Sequence, residues 1–523
     1  MQDDGGDENF HLWGIDATTP SSAARDLTPF PGAKAQNVVT NKRFPDQLLV
    51  GINKRDPTQF DMYRCTLATG TEDESFEVRE AIVMNPADSS TAADSSTTVR
   101  VRDSAGDEWR DLVTFPYGEE GNMVEFARDG KSVLALSTLG RETQALALVR
   151  AVSFNYARTE RRFFDKELEA DFRALEAAAP GGAEEAGGTV SPLFVSQPAL
   201  LEYKLAKMED VRITARDGRS SSSRLPREEA RLELVAYLTR ADSDAPTPLV
   251  LLVHGGPWAR DGWGFNAMAQ WMANRGYAVL QVNYRGSSGY GKSFLHKGDK
   301  QWGVGDMQHD LSDAVAWAVR EGIAREDRVC IFGGSYGGYA TLAGMTFTPE
   351  LYACGVDIVG PSNIKTLLDS IPPYWGPLRN DMLLKAGEGK KRGEEEEEDP
   401  PPPPHAPPPL SQIGDVDNDA DFNQKISPLF HGANDPRVKQ AEADQIAFSM
   451  AAKRIPVEYV LYPDEGHGFA RPANRIDFNG RTEEFLAKHL GGRAEAFEPP
   501  EGATATFPLE TRSFEYEPAQ VVY

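Results

Sequence analysis

At 523 residues the chain is too long for a single hydrophobic core and predicts two or three domains. Its composition, 40% hydrophobic and 26% charged, is that of a globular protein. With 55 Lys and Arg against 80 Asp and Glu the net charge is −25, so a nucleic-acid backbone or an anionic membrane surface would be repelled.

The chain opens on MQDDGGDENF, acidic and polar where a secretory signal is basic and then apolar. No run approaches the roughly 20 apolar residues of a membrane span. Cys65, Cys330 and Cys354 are scattered and show no metal-ligand spacing, which suits a reducing compartment; cytoplasm is the expected location and no cofactor or metal is implied.

From about residue 12 to 205, short apolar runs alternate with turn residues, as in QLLVGINKRD, DMYRCTLATG and KSVLALSTLG. This pattern predicts antiparallel hairpins of the kind that build propeller blades. Phe164, Leu168, Phe172 and Leu175 recur at helical spacing and predict a short amphipathic helix, with a linker-like APGGAEEAGGTV after it.

The rhythm changes near Met208. Two strands, VRITARDG and LELVAYLTR, lead into buried strands LVLLV (249–253), AVLQVN (278–283), RVCIF (328–332), CGVDIV (354–359) and VEYVLY (457–462), with helical stretches such as 310–322 between them. Continuous apolar strands alternating with helices predict an α/β fold, a mostly parallel sheet covered on both faces. The domains expected are 1–205, reduced and all-β; 206–492, α/β with a low-complexity acidic and proline-rich insertion at 386–411; and a Glu- and Pro-rich tail, 493–523, read like the insertion as solvated and unstructured.

Chemistry gathers in the α/β part. RVCIFGGSYGGYATLAG runs a strand into Gly333-Gly334-Ser335-Tyr336-Gly337 and then a helix, a G-x-S-x-G turn in which Ser335 is the candidate nucleophile. The small neighbours let the backbone turn tightly, and the helix N-terminus offers unpaired N–H groups to a developing oxyanion. After LVLLV comes His254-Gly255-Gly256-Pro257, where the N–H of Gly256, together with that of Tyr336, is the candidate oxyanion hole. His254 is read as a brace for its loop. His467 in VEYVLYPDEGHGF is the candidate base and Asp435 in HGANDPRV the candidate acid, while His431 beside it keeps an open role.

Together HGGPW, VNYRGSSGYGKSF, WGVGDMQHDLSDAVAWA, RVCIFGGSYGGYATLAG, HGANDPRV and YPDEGHGFARPANR resemble the catalytic domain of the prolyl oligopeptidase family, in its acylaminoacyl-peptidase branch. HLWGIDATTPSSAARDLTPFPG is similar to the start of that branch's N-terminal β-propeller. The resemblance implies an α/β-hydrolase domain behind a propeller and a serine peptidase taking short peptides as its partners, with Ser335, Asp435 and His467 as its triad. An esterase with the same triad, or a protein serving interaction in place of catalysis, are the alternatives.

Two departures from the family stand out. About 205 residues hold some five blades at roughly 40 residues each, short of the family's usual complement of about seven. The second is at the acid loop, where SPLFH runs straight into GAND and Pro428 argues against the buried strand expected there. KISPLFH is expected to serve instead as a short, irregular strand, giving a working but impaired triad.

Overall fold

The computed structural model describes residues 198–216, 232–372 without 244, 427–511 and, within 1–173, thirteen strands with some of their connections. Within the helix expected from Phe164 to Leu175, Lys166, Glu169, Ala170 and Arg173 are helical, with Arg173 pairing to Glu169 at 2.7 Å, while its four apolar residues and the insertion at 386–411 lie outside the described residues.

The N-terminal strands pair with their neighbours in sequence, as hairpin patterning requires. Ala35–Thr40, Gln47–Asp56, Gln59–Thr66 and Gly70–Ser75 form one four-stranded antiparallel sheet, and Glu80–Asn85, Ser96–Val101 and Arg110–Pro116 a three-stranded one. A four-stranded meander is the unit of a propeller blade, and among the described residues these sheets, with three further two-stranded pairs, belong to the reduced propeller-like domain. Leu27, Ala35, Val50, Ile52 and Cys65 bury the first of them.

The α/β domain is built on eight strands, β1 (Met208–Thr214), β2 (Glu233–Arg240), β3 (Thr247–Val253), β4 (Ala278–Asn283), β5 (Ala324–Gly334), β6 (Cys354–Ile358), β7 (Ser427–Gly432) and β8 (Val457–Tyr462). They lie in the order β1-β2-β4-β3-β5-β6-β7-β8, antiparallel through β2 and β4 and parallel beyond. Five helices matter here: α1 (Ala267–Asn274), α2 (Asp306–Arg320), α3 (Tyr336–Phe347), α4 (Gln440–Ala452) and α5 (Pro472–Leu490). Alternate residues of each central strand feed opposite layers. Leu249, Leu251 and Ile331 pack with Leu311 and Ala318 of α2, whereas Val250, Cys330 and Phe332 pack with Met272 of α1 and Phe485 of α5. Burial on both faces is why these strands read as unbroken apolar runs.

The strand before the acid loop is present. β7 pairs with β8 from Ser427 to Gly432 but meets β6 only at Asp357↔Leu429 and Ile358↔Phe430. Pairing with β6 thus begins one residue past Pro428, so the missing N–H falls at the strand's start, where the ladder on that side has no use for it. The apparent loss of the family's strand is corrected, and SPLFH serves as the short strand expected of KISPLFH.

The tail also departs from expectation. Thr506 and Leu461 exchange backbone hydrogen bonds of 2.8 and 2.9 Å, bridging the open edge of β8 at one position, and Phe507 packs against the core. A methyl group on Gly480, inside α5, would lie 2.1 Å from the Phe497 ring. The stretch to residue 511 is therefore a packed strap, and only 512–523 lies outside the described residues. Among the described residues no helix is long and apolar enough to cross a membrane.

Candidate active site

Ser335 sits between the end of β5 and the first residue of α3 with φ 57° and ψ −121°. Side chains rarely adopt this left-handed backbone, and it holds only where the surroundings enforce it. The enforcement comes from two glycines. A methyl group on Gly333 would lie 2.2 Å from the Gly337 carbonyl oxygen, and one on Gly337 2.2 Å from that of Val253. At Gly334 the nearest atom would be 3.7 Å away, so space alone does not demand glycine there.

The Ser335 hydroxyl lies 3.0 Å from His467 Nε2, and His467 Nδ1 lies 2.6 Å from Asp435 Oδ2. Asp435 Oδ1 accepts the N–H groups of Arg437 at 2.8 Å and Val438 at 3.0 Å. Both carboxylate oxygens are thus engaged on a side chain with no exposure, while the imidazole keeps 11%. A carboxylate facing Nδ1 selects the tautomer protonated there, leaving the Nε2 lone pair toward the hydroxyl. The three residues named from sequence are brought together.

The loop after β3 passes directly over the turn at Ser335. A methyl group on Gly255 would lie 3.0 Å from the Gly334 carbonyl oxygen and 3.4 Å from Ser335 Cβ. Gly256 has φ +122°, and a side chain there would meet Trp258 N at 2.7 Å. Among the described residues neither the Gly256 nor the Tyr336 N–H has an acceptor, which leaves both available to an anion.

The remaining histidines of the site are braces. His254 is stacked on Tyr284 at 4.4 Å, with Nδ1 2.8 Å from the Gly255 carbonyl and Nε2 2.9 Å from the Ser287 hydroxyl. Burial pushes its pKa down to about 4, so the ring is neutral. His431 donates from Nε2 to the Val438 carbonyl at 3.0 Å, a contact that ties it to the turn of Asp435, and burial lowers its pKa too.

Several supporting residues escaped the sequence reading. Glu465, 1% exposed, accepts from the N–H groups of Ala470 (2.8 Å) and Arg471 (2.9 Å) and from Asn474 Nδ2 (2.9 Å), anchoring the turn before His467 to the start of α5. An acid a few residues before a helix whose first residue is proline was the available signal. Asn434 joins the acid and base loops, donating from its backbone to the Glu465 carbonyl at 2.9 Å and from Nδ2 to the Pro463 carbonyl at 3.1 Å. Arg285, buried, makes a two-pronged pair with Asp310 (2.6 and 2.9 Å) and reaches Asp306 at 2.9 Å, tying the loop after β4 to α2. Asp357 at the end of β6 accepts the Gly360 N–H at 2.9 Å, and burial pushes its pKa up to about 7.

Comparison with known proteins bears on this geometry. The model of the prolyl oligopeptidase family (Peptidase_S9) matches residues 263–493. Dipeptidyl aminopeptidase BIII of Pseudoxanthomonas mexicana is 39% identical over 578 residues, covering 95% of this chain and 79% of that protein. The chain belongs to the prolyl oligopeptidase family. As a member it is a serine peptidase of short peptides. Acylamino-acid-releasing enzyme 1 of Oryza sativa subsp. japonica is a more distant relative, 23% identical over 52% of this chain and 34% of its own. Among solved structures a puromycin hydrolase, 15% identical, superposes with TM-score 0.59 over 94% of this chain and 84% of its own, a likeness of fold.

Proposed function

We propose that the protein releases dipeptides from the N-terminus of short peptides through an acyl-enzyme on Ser335. The single observation behind the chemistry is the relay of 3.0 and 2.6 Å from the Ser335 hydroxyl through His467 to Asp435. The choice of dipeptides rests on the likeness to a dipeptidyl aminopeptidase along nearly the whole chain. In this reading Ser335 Oγ attacks the scissile carbonyl carbon while its proton passes to His467 Nε2. The carbonyl oxygen takes the negative charge and is held by the N–H groups of Gly256 and Tyr336. Breakage of the C–N bond follows as His467 returns the proton to the departing amine. Water then adds to the acyl carbon, giving up a proton to His467, and the C–O bond to Ser335 breaks as its oxygen recovers that proton. Asp435 accepts the Nδ1 hydrogen bond throughout.

The propeller-like domain, divided from the catalytic domain near residue 205, is proposed to restrict access to short chains, and the cytoplasm remains the proposed location from cysteine usage. The test compares dipeptidyl p-nitroanilides with a free amino end, the same compounds acetylated, and single acetylated residues. Turnover of the first alone supports the reading; preference for the acetylated residues overturns dipeptide release.

A further inference from the structure

We infer that Glu8 is a positioning residue for this reaction, acting through Asp435; the inference rests on the triad assignment above. The segment from Gly5 to Glu8 crosses the two loops that carry the acid and the base. The Gly5 carbonyl accepts from Asn434 Nδ2 at 2.6 Å. Next to it backbone lies on backbone: a methyl group on Gly6 would sit 2.1 Å from Gly466 N, and one on Gly466 2.0 Å from the Gly6 carbonyl oxygen. Gly466 is the residue before His467, so the segment seats the base loop directly.

Glu8 then reaches the acid loop. Its side chain, 8% exposed, lies between Arg437, whose Nε is 2.6 Å from Oε1, and Lys34, whose Nζ is 3.1 Å from Oε2. Burial acts to raise the Glu8 carboxyl, but Arg437 and Lys34 outweigh it and hold the group below the usual range, so it is ionised. Its backbone has φ 59°, a conformation that these contacts sustain. Arg437 is also the residue whose N–H donates to Asp435 Oδ1 at 2.8 Å. A carboxylate from the propeller-like domain thus fixes the side chain of the residue whose backbone aims the acid. Removing it leaves the Val438 N–H and the Asn434 bridge in place, so the turn loosens and does not collapse.

A shift of about 1 Å at a catalytic group can cost roughly a hundredfold in rate, and a partial loosening should cost about tenfold. The test uses the full chain and a dipeptidyl p-nitroanilide, with Glu8→Ala and Glu8→Gln each made in the native background and in Asp435→Asn. We expect kcat to fall about tenfold for Glu8→Ala, with KM held within about twofold, and to fall in the same sense for Glu8→Gln. In the Asp435→Asn background neither substitution should lower kcat further, because the route through the acid is already broken. Asp61→Ala, which removes the exposed Arg55–Asp61 pair of the same domain, should leave both constants unchanged. Should Glu8→Ala fail to fold by circular dichroism, Glu8→Gln carries the test. An unchanged kcat in folded variants, or equal losses in both backgrounds, overturns the inference alone. Full activity of Asp435→Asn, with Ser335→Ala inactive, overturns the acid assignment and the inference with it.

Discussion

His467 Nδ1 lies 2.6 Å from Asp435 Oδ2 even though the strand leading to Asp435 pairs with β6 at only two positions. Full pairing with β8, which itself leads to His467, compensates: one pair of strands carries acid and base to the same edge. The impaired triad expected from a weak strand is therefore not expected from the geometry. We expect Asp435→Asn to lower kcat by about 10³ to 10⁴ with little change in KM, since it removes tautomer selection and imidazolium stabilisation without altering substrate contacts. Steady-state kinetics at saturating dipeptidyl substrate reads this directly. A loss below about threefold would remove Asp435 from the mechanism.

Ser335 should label rapidly with a fluorophosphonate, and Ser335→Ala should abolish labelling, because attack on phosphorus needs a hydroxyl paired to a base. The backbone adds an independent readout. With φ 57° at a residue that has a side chain, Ser335→Gly should raise the melting temperature while eliminating activity, relieving strain of about 1–3 kcal/mol. A lower melting temperature would mean that the side chain stabilises the turn more than its strain destabilises it.

What was readable in the sequence was local. A strand, a tight turn and a helix are encoded within the residues around Ser335, and the loops of His467 and Asp435 carry their own turn residues. The strand β7 was obscured because it is short and contains a proline, and only the register with β6 shows that Pro428 falls outside the shared ladder. The tail looked unstructured because it is rich in Glu and Pro, yet Phe497, Phe507 and the Thr506–Leu461 backbone pair anchor it. Least accessible was the docking of Gly5 on Asn434, a contact across 429 residues between polar groups that no periodicity marks.

Asp357 sets a pH dependence of stability. Its carboxyl is raised from 3.8 to about 7 by burial, so between these values the folded protein binds the proton that the unfolded chain has released. Stability contributed by this group is therefore greatest below pH 3.8 and falls as pH rises to about 7. His254, lowered from 6.5 to about 4 by burial, works in the opposite sense, adding stability as pH rises through that window. The difference between Asp357→Asn and the parent isolates the first effect. We expect the variant to gain melting temperature relative to the parent at pH 8 and to lose that advantage at pH 4, as measured by differential scanning calorimetry. A constant difference across this range would contradict a raised Asp357.

Gly337 offers the strictest test of the turn that presents Ser335. Gly337 is the second residue of α3, so the advantage of about 1 kcal/mol that alanine has over glycine in a helix interior is the most that propensity could gain from Gly337→Ala. Packing says the reverse, since the added methyl would lie 2.2 Å from the Val253 carbonyl oxygen and 3.2 Å from that of His254, both backbone atoms. Neither can swing aside as a flexible side chain would, so α3 or the end of β3 must move. Displacing β3 carries the Gly256 loop with it, and displacing α3 carries Ser335 and the Tyr336 N–H. Either movement separates nucleophile from oxyanion donors. Overpacking of this kind costs about 1–3 kcal/mol, which exceeds the propensity gain. Gly337→Ala should therefore lower the melting temperature and slow fluorophosphonate labelling. Gly334→Ala, with 3.7 Å of clearance, should label at a rate closer to the parent. Equal labelling by Gly337→Ala and the parent would show that the turn tolerates a side chain there and that its shape does not depend on that glycine.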